Sequence, residues 1–335
     1  MPRKRADPSF SWLPERVYIQ RNKYVYQPKL GGKLILCDIN AHKIEVLKRY
    51  EQEKHHQESG IFFERIINDF FKSADAKELS PRTVKDYSSY ALTLIKVFGK
   101  MKPNAIQPHH IRLFMDSLAI ERGTALKPAL ATANRHKACM QKICSWARSV
   151  GRLKDNPCVG ISKRKEKSRD RYITDSEYNA IYSNAAAPCQ VAMEISYLCM
   201  ARISDVINLT MRDVLDDGLY IKQGKTGKAQ IKLYSPRLLK AIASARSLPR
   251  KRGLTTIFLL SKPDGSKYTI RAIQAQYATA KALSGVNDLT FHDLKAKGIS
   301  DLEGTLADKN HAAGHTTLAQ TQKYDRKIKT VRSVK

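Results

Sequence analysis

Six side chains in the second half of the chain could share one chemical task. They are Arg202 in the run Ala-Arg-Ile-Ser-Asp, Lys225 in Gly-Lys-Thr-Gly, His292 and Lys295 in Phe-His-Asp-Leu-Lys, His315 after Gly314, and Tyr324 nine residues past His315. A phenol is a nucleophile, two imidazoles can move protons, and long cations can meet an anion. Cleavage of a phosphodiester by a side chain asks for this inventory: a nucleophile in line with the leaving 5′ oxygen, cations for the non-bridging oxygens, and an acid for the leaving group. A phosphotyrosine keeps the bond energy, so rejoining needs no ATP. Residues 224–227, Gly-Lys-Thr-Gly, lack the preceding spaced glycine of a nucleotide-binding loop. Taken singly these residues argue little. The chain has 15 tyrosines, a surface arginine is ordinary, and a lysine in a hairpin turn is by default solvated.

Charge narrows the partner. There are 60 Lys and Arg against 31 Asp and Glu, a net charge of +29, which predicts a polyanion; a ribosomal or membrane-surface protein could be as basic. No apolar run approaches the roughly 18 residues that would span a bilayer, and no apolar stretch follows the charged start Met-Pro-Arg-Lys-Arg, so neither a membrane span nor a signal peptide is expected. Cys37, Cys139, Cys144, Cys158, Cys189 and Cys199 form no CxxC pair and read as reduced thiols of a cytoplasmic protein. His136, Cys139 and Cys144 match no zinc spacing, so they read as helix packing; no metal and no cofactor is expected.

The elements that must position the six fall into three units and a linker, an α+β chain that is mainly α. Residues 1–57 carry β-prone runs at 17–20, 23–27 and 33–37, then a helical pattern from 41 to about 55 with Ile44, Leu47 and Lys48 on one side. Such a small core suits a domain stabilised by binding DNA. Residues 58–160 read as all helix. Phe62, Ile66, Ile67 and Phe70 recur at helical spacing, Ser80-Pro81 is an N-cap with proline at N1, further helices follow over 108–120 and 128–150, and Phe114 and Trp146 are core positions. Residues 161–171 form a basic linker holding Lys163, Arg164, Lys165, Lys167 and Arg169, a solvated stretch or a phosphate contact; contact is favoured because the units on both sides must touch DNA. Residues 172–335 open on the capping box Thr174-Asp-Ser-Glu177, form a hairpin around Lys225, start a helix at Ser235-Pro236, add a third strand over 257–260, and finish in helices through Tyr324.

In order and spacing the six residues resemble the tyrosine recombinases, and the whole chain is similar to a temperate-phage, lambda-like integrase. The segment Gly-His-Thr-Thr-Leu-Ala-Gln-Thr-Gln-Lys-Tyr over 314–324 carries the likeness most strongly. The resemblance implies Tyr324 as nucleophile, Arg202 clamping the scissile phosphate, and Asp205 as a buried partner. It implies Lys225 as the general acid, with Lys222 and Lys228 close enough to compete, and His292 and His315 as further catalytic groups. The family pattern His-x-x-Arg is broken, because Lys295 stands where the second arginine is expected; the resemblance implies that it serves as the second phosphate cation. The implied architecture is a small three-stranded arm-binding domain, a helical (SAM-like) core-binding domain and a mixed α/β catalytic domain, forming a C-shaped clamp on DNA. The implied partners are double-stranded DNA at core and arm attachment sites, three further copies in a homotetramer, a host DNA-bending protein and an excision factor, in the bacterial cytoplasm at the nucleoid. Arg3, Lys4 and Arg5 resemble an arm that enters a minor groove, with a disordered tail as the alternative. Two other readings stay open: a chromosome-dimer or plasmid-resolving recombinase, and a DNA-binding regulator with a decayed site.

Overall fold

The structure, a computed structural model, describes residues 8–28, 32–59, 62–124, 127–167, 169–328 and 333. It divides into two compact units, Met1–Glu166 and Lys167–Lys335, so the division falls inside the basic stretch 161–171. The fold is mainly helical, with a small N-terminal sheet.

In the first unit, β1 (Val17–Gln20), β2 (Lys23–Tyr26) and β3 (Leu34–Asp38) form an antiparallel sheet in that order. Arg21 and Asn22 both take positive φ, 50° and 54°, giving the two-residue turn whose twist matches a tight hairpin. Helix α1 (Lys43–Ser59) covers the sheet, and Val17, Tyr24, Leu36, Val46 and Tyr50 make its core. The expected face of α1 is therefore wrong: Ile44 and Leu47 are 69% and 39% exposed, and Val46 and Tyr50 point inward. Here the sheet chose the helix face, and the helix has too few apolar residues for periodicity to choose it.

Helices α2 (Phe63–Lys72), α3 (Ala74–Lys77), α4 (Pro81–Phe98), α5 (Pro108–Glu121) and α6 (Leu130–Ser149) enclose a second core. Ser80 caps α4 by accepting from Thr83 N at 3.2 Å, with Pro81 at the first helical position. Phe63, Ile66, Ile67 and Phe70 are fully buried, each contributing roughly 1.5–3 kcal/mol. Phe62 is the non-helical residue preceding α2 and is exposed, so it leaves the predicted stripe and Phe63 takes its place. Phe114 and Trp146 are core, and Cys139 and Cys144 are buried in α6 beside His136, whose Nδ1 pairs with Thr132 O at 2.9 Å.

The second unit is built around α8 (Ala187–Leu198), which is apolar on nearly every side and packs against α10 (Pro236–Arg246), α11 (Ile270–Leu283) and α12 (Asp293–Asp301). Before it comes α7 (Asp175–Ser183), opened by the reciprocal Thr174–Glu177 capping box. Short α9 (Ile203–Val206) leads to the hairpin of β4 (Gly218–Lys222) and β5 (Ala229–Leu233). Helices α13 (Leu306–Ala313) and α14 (Leu318–Gln322) end the described fold. Residues 257–260 do not form the expected third strand. They make an isolated bridge, Thr210 to Phe258, with Met211 N donating to Ile257 O at 2.8 Å, before the turn at 262–265 ends the run. Among the described residues, no helix is long and apolar enough to cross a membrane.

Candidate active site

Arg202 and Asp205 come from the sharp turn after α8. The helix ends with Met200 in the left-handed region at φ 52°, and Arg202 then stands as the extended residue before α9. Arg202 Nη1 donates to Gln223 Oε1 at 2.7 Å and lies 4.0 Å from Asp205 Oδ2. Asp205 is buried; its Oδ1 accepts from Gly224 N at 3.1 Å, so it also holds the base of the β4–β5 hairpin to the Arg202 turn. Gln223 is buried and relays the arrangement onward, its Nε2 donating to Ala313 O at 2.9 Å.

Ala313 ends α13, and Gly314 follows at φ 62°. Two facts require glycine here. The left-handed backbone disfavours a side chain, and a Cβ would sit 2.3 Å from Gln223 Nε2. The turn delivers His315, 1% exposed, with Nδ1 3.0 Å from Thr321 Oγ1 and Nε2 buried without a hydrogen-bond partner among the described residues. Burial first, then Lys295, Arg202, Lys228 and His292, push its pKa down to about 4, so the ring is neutral near pH 7.

His292 immediately precedes α12, and its Nε2 lies 2.8 Å from the hydroxyl of Tyr324. The His315 ring is 4.9 Å from the Tyr324 ring, centroid to centroid. Burial lowers the His292 pKa; Asp293 opposes this, and Lys295, Arg202 and Arg326 reinforce it. Burial raises the Tyr324 pKa, against the pull of Arg202 and Arg326. A neutral imidazole facing a protonated phenol at hydrogen-bond distance can accept its proton. Ser300 Oγ donates to Tyr324 O at 3.0 Å, and the next two residues are tied down in the same unit. Asp325 pairs with Lys309 at 3.0 Å and Arg326 with Asp293 at 2.6 Å.

The structure thus brings together Arg202, Asp205, His292, His315 and Tyr324. It does not bring Lys225 to them. That lysine sits exposed in the turn of the β4–β5 hairpin, and among the described residues no hydrogen bond or ion pair joins it to the others. Lys222 is likewise exposed, while Lys228 donates to His315 O at 2.8 Å. Lys295, expected as the second phosphate cation, is 1% exposed, and its Nζ donates to Met200 O at 2.6 Å and Ala313 O at 3.3 Å. Lys163, Lys165 and Lys167 are exposed. Arg164 is instead engaged by Asp116, and Arg169 by Asp288 O at 2.7 Å, which takes part of each guanidinium from any other partner. Arg3, Lys4 and Arg5 lie outside the described residues. Sequence reasoning missed Gln223, Ser300, Thr321 and Arg326, because their significance arises only from partners 6 to 90 residues away.

Residues 171–330 match the family described as the phage integrase family. The chain is 23% identical to the integrase of Enterobacteria phage 434 over 344 residues, covering 93% of each chain. The integrase of Escherichia phage lambda is matched at the same identity and coverage. Among solved structures, a lambda integrase dimer bound to a COC′ core site superposes with a TM-score of 0.71 at 17% identity, over 98% of this chain and 99% of that one. A lambda integrase tetramer bound to a Holliday junction gives 0.71 at 16% identity, over 96% and 98%.

Proposed function

Because the chain belongs to the phage integrase family of tyrosine recombinases, we propose that Tyr324 attacks a DNA phosphodiester, forming a 3′-phosphotyrosyl bond that is later resealed to integrate and excise phage DNA. The observation that carries the assignment is the 2.8 Å approach of His292 Nε2 to the Tyr324 hydroxyl, with Arg202 and His315 converging beside it. In this reading His292 takes the phenolic proton as the tyrosine attacks. Arg202 meets the non-bridging oxygens, and the unpartnered Nε2 of His315 gives a further contact to the phosphate. Asp205 and Gln223 hold Arg202 in place. Lys225 protonates the leaving 5′ oxygen once the hairpin turn closes on bound DNA, with Lys222 and Lys228 as the neighbouring alternatives.

Residues 1–57 are proposed to hold arm-type sites, 58–160 the core site, 161–171 to track phosphates, and 172–335 to cut. The separate apolar cores of the sheet unit and the helical unit support dividing the first two. Related structures hold DNA as dimers and, on a Holliday junction, as a tetramer; the same homotetramer on DNA is proposed here. A host DNA-bending protein and an excision factor complete the assembly, at the nucleoid of a bacterial cytoplasm, because joining arm and core sites requires sharply bent DNA.

The test is strand exchange between two duplexes carrying the attachment sites, with purified chain, bending protein and no nucleotide. Recombinant product is expected, and its loss on Arg202→Ala. Product that forms only with ATP, or equally well from Arg202→Ala, would overturn the assignment.

A further inference from the structure

We propose that Lys295 is a positioning residue that clamps the Met200 carbonyl to the Ala313 carbonyl, fixing the turn that carries Arg202 against the turn that carries His315; this rests on the recombinase reading above. The two hydrogen bonds, 2.6 Å to Met200 O and 3.3 Å to Ala313 O, use an ammonium that is 1% exposed. Met200 O, just past the end of α8, would lose its lysine donor and stand unsatisfied, whereas Ala313 O, at the end of α13, would keep only its bond from Gln223.

The bonds close a ring. Arg202 reaches Gln223 at 2.7 Å, Gln223 reaches Ala313 O at 2.9 Å, Lys295 shares that oxygen, and its other bond returns to Met200, two residues before Arg202. Met200 is the non-glycine residue held at φ 52°, a conformation that persists only when its surroundings over-determine it. Gly298, one turn beyond Lys295 on α12, permits the close approach: a Cβ there would lie 2.1 Å from Tyr197 O and 3.1 Å from Met200 Cγ.

What the two carbonyls require is a donor, and a neutral amine also supplies one. Burial, then Arg202 and Lys232, lower the Lys295 pKa to about 7, so the site is not one that favours a permanent charge. A direct phosphate cation would need a lasting charge and a free ammonium, whereas this Nζ is already given to two carbonyls.

The experiment compares Lys295→Met with Lys295→Gln in the full chain. Three quantities are read: single-turnover cleavage of a nicked core-site duplex, Kd for that duplex, and amide hydrogen exchange over residues 199–203 and 312–316 without DNA. Lys295→Met should cleave about a hundredfold more slowly, the scale of losing one oriented electrostatic group, with Kd changed less than about threefold. Its exchange should rise in those two segments. Lys295→Gln is neutral and one bond shorter but still donates; it should recover about tenfold of the lost rate, as hydrogen-bond restoration predicts. In an Arg202→Ala background, Lys295→Met should slow cleavage by less than it does in the wild type, because part of the lysine's effect runs through that arginine. Wild-type cleavage and exchange in Lys295→Met, or Lys295→Gln no faster than Lys295→Met, would overturn the clamp. Should Lys295→Met fail to fold, Lys295→Gln is compared with Lys295→Arg. The clamp ranks Gln above Arg, because the broad guanidinium must enter a closed gap, whereas a phosphate cation ranks Arg above Gln. The exchange reading needs no DNA, so a failure of the recombinase reading, seen as no cleavage by the wild-type chain, is distinguishable.

Discussion

Arg326 Nη1 donates to Asp293 Oδ1 at 2.6 Å, so the residue two past Tyr324 is bonded to the residue one past His292. Both side chains are buried, at 9% and 3% exposure, and the pair brackets the 2.8 Å contact between the tyrosine hydroxyl and the imidazole. Asp293 is also fixed by Thr290, whose N and Oγ1 donate to Oδ2 at 2.8 Å and 2.7 Å. Asp325 and Arg326, the first two residues after the tyrosine, are thus held within their own unit.

Arg326→Ala leaves Asp293 charged and without its main partner. Breaking a buried pair from one side costs about 3–5 kcal/mol, and the same loss should loosen the tyrosine. The variant should melt earlier and cleave more slowly, while Arg326→Ala with Asp293→Asn should cost less than the sum of the two singles. Thermal unfolding and suicide-substrate kinetics on the four proteins check this; additive losses would mean that the two residues act independently.

Cleavage should depend on the neutral form of His292. Its folded pKa lies below the ordinary 6.5, so the ring is already neutral near pH 7 and protonates only in acid. The single-turnover rate should rise with pH along an acid limb whose midpoint is below 6.5, then level off. His292→Gln should be slower by about two orders of magnitude, the usual contribution of a positioned proton acceptor, and should lose that limb. An unchanged limb in His292→Gln would assign it to another group.

His315 gives a stability prediction of definite sign. Its folded pKa is about 4, against about 6.5 when unfolded, so between those values the unfolded chain binds more protons. The stabilisation is fully present above 6.5 and is lost as pH falls toward 4, by at most about 3 kcal/mol. Denaturant unfolding of the second unit should show less acid destabilisation in His315→Asn than in wild type. The carboxylates common to both proteins cancel in that comparison, and equal slopes would show that the ring titrates normally.

Local sequence signals located most of this fold. Ser80-Pro81, the Thr174–Glu177 box and the glycine at 314 act within a few residues, and each forms as its chemistry requires. The burial of Val46 in place of Ile44, and the reduction of 257–260 to a bridge, were decided by distant partners that periodicity does not encode. The candidate site divides in the same way. Order and spacing, through the family resemblance, marked Arg202, His292, His315 and Tyr324, but nothing local distinguishes a lysine that meets solvent from Lys295, whose two acceptors lie 95 and 18 residues away.

The N-terminal unit should be separable from cutting. A fragment from residue 59 keeps the helical core and the second unit intact, because the sheet has its own core. It should bind and cleave core DNA but lose tight binding to arm sites and lose integration. Full-length binding should fall steeply with salt, by about 0.9 in log Kd per tenfold salt for each phosphate neutralised, and the fragment should show a shallower slope. Unchanged integration by the fragment would move the chain to the simpler recombinases.

The most direct test of the account is the identity of the residue that becomes covalently joined to DNA. Wild-type protein on a nicked core-site duplex should give a denaturation-resistant adduct, and peptide mass mapping should place a 3′-phosphotyrosyl nucleotide on Tyr324. Tyr324→Phe should bind the same duplex within about fivefold, since it loses only a hydroxyl whose net contribution is of order 1 kcal/mol, and form no adduct. An adduct that persists in Tyr324→Phe, or that maps to another residue in wild type, would contradict the account.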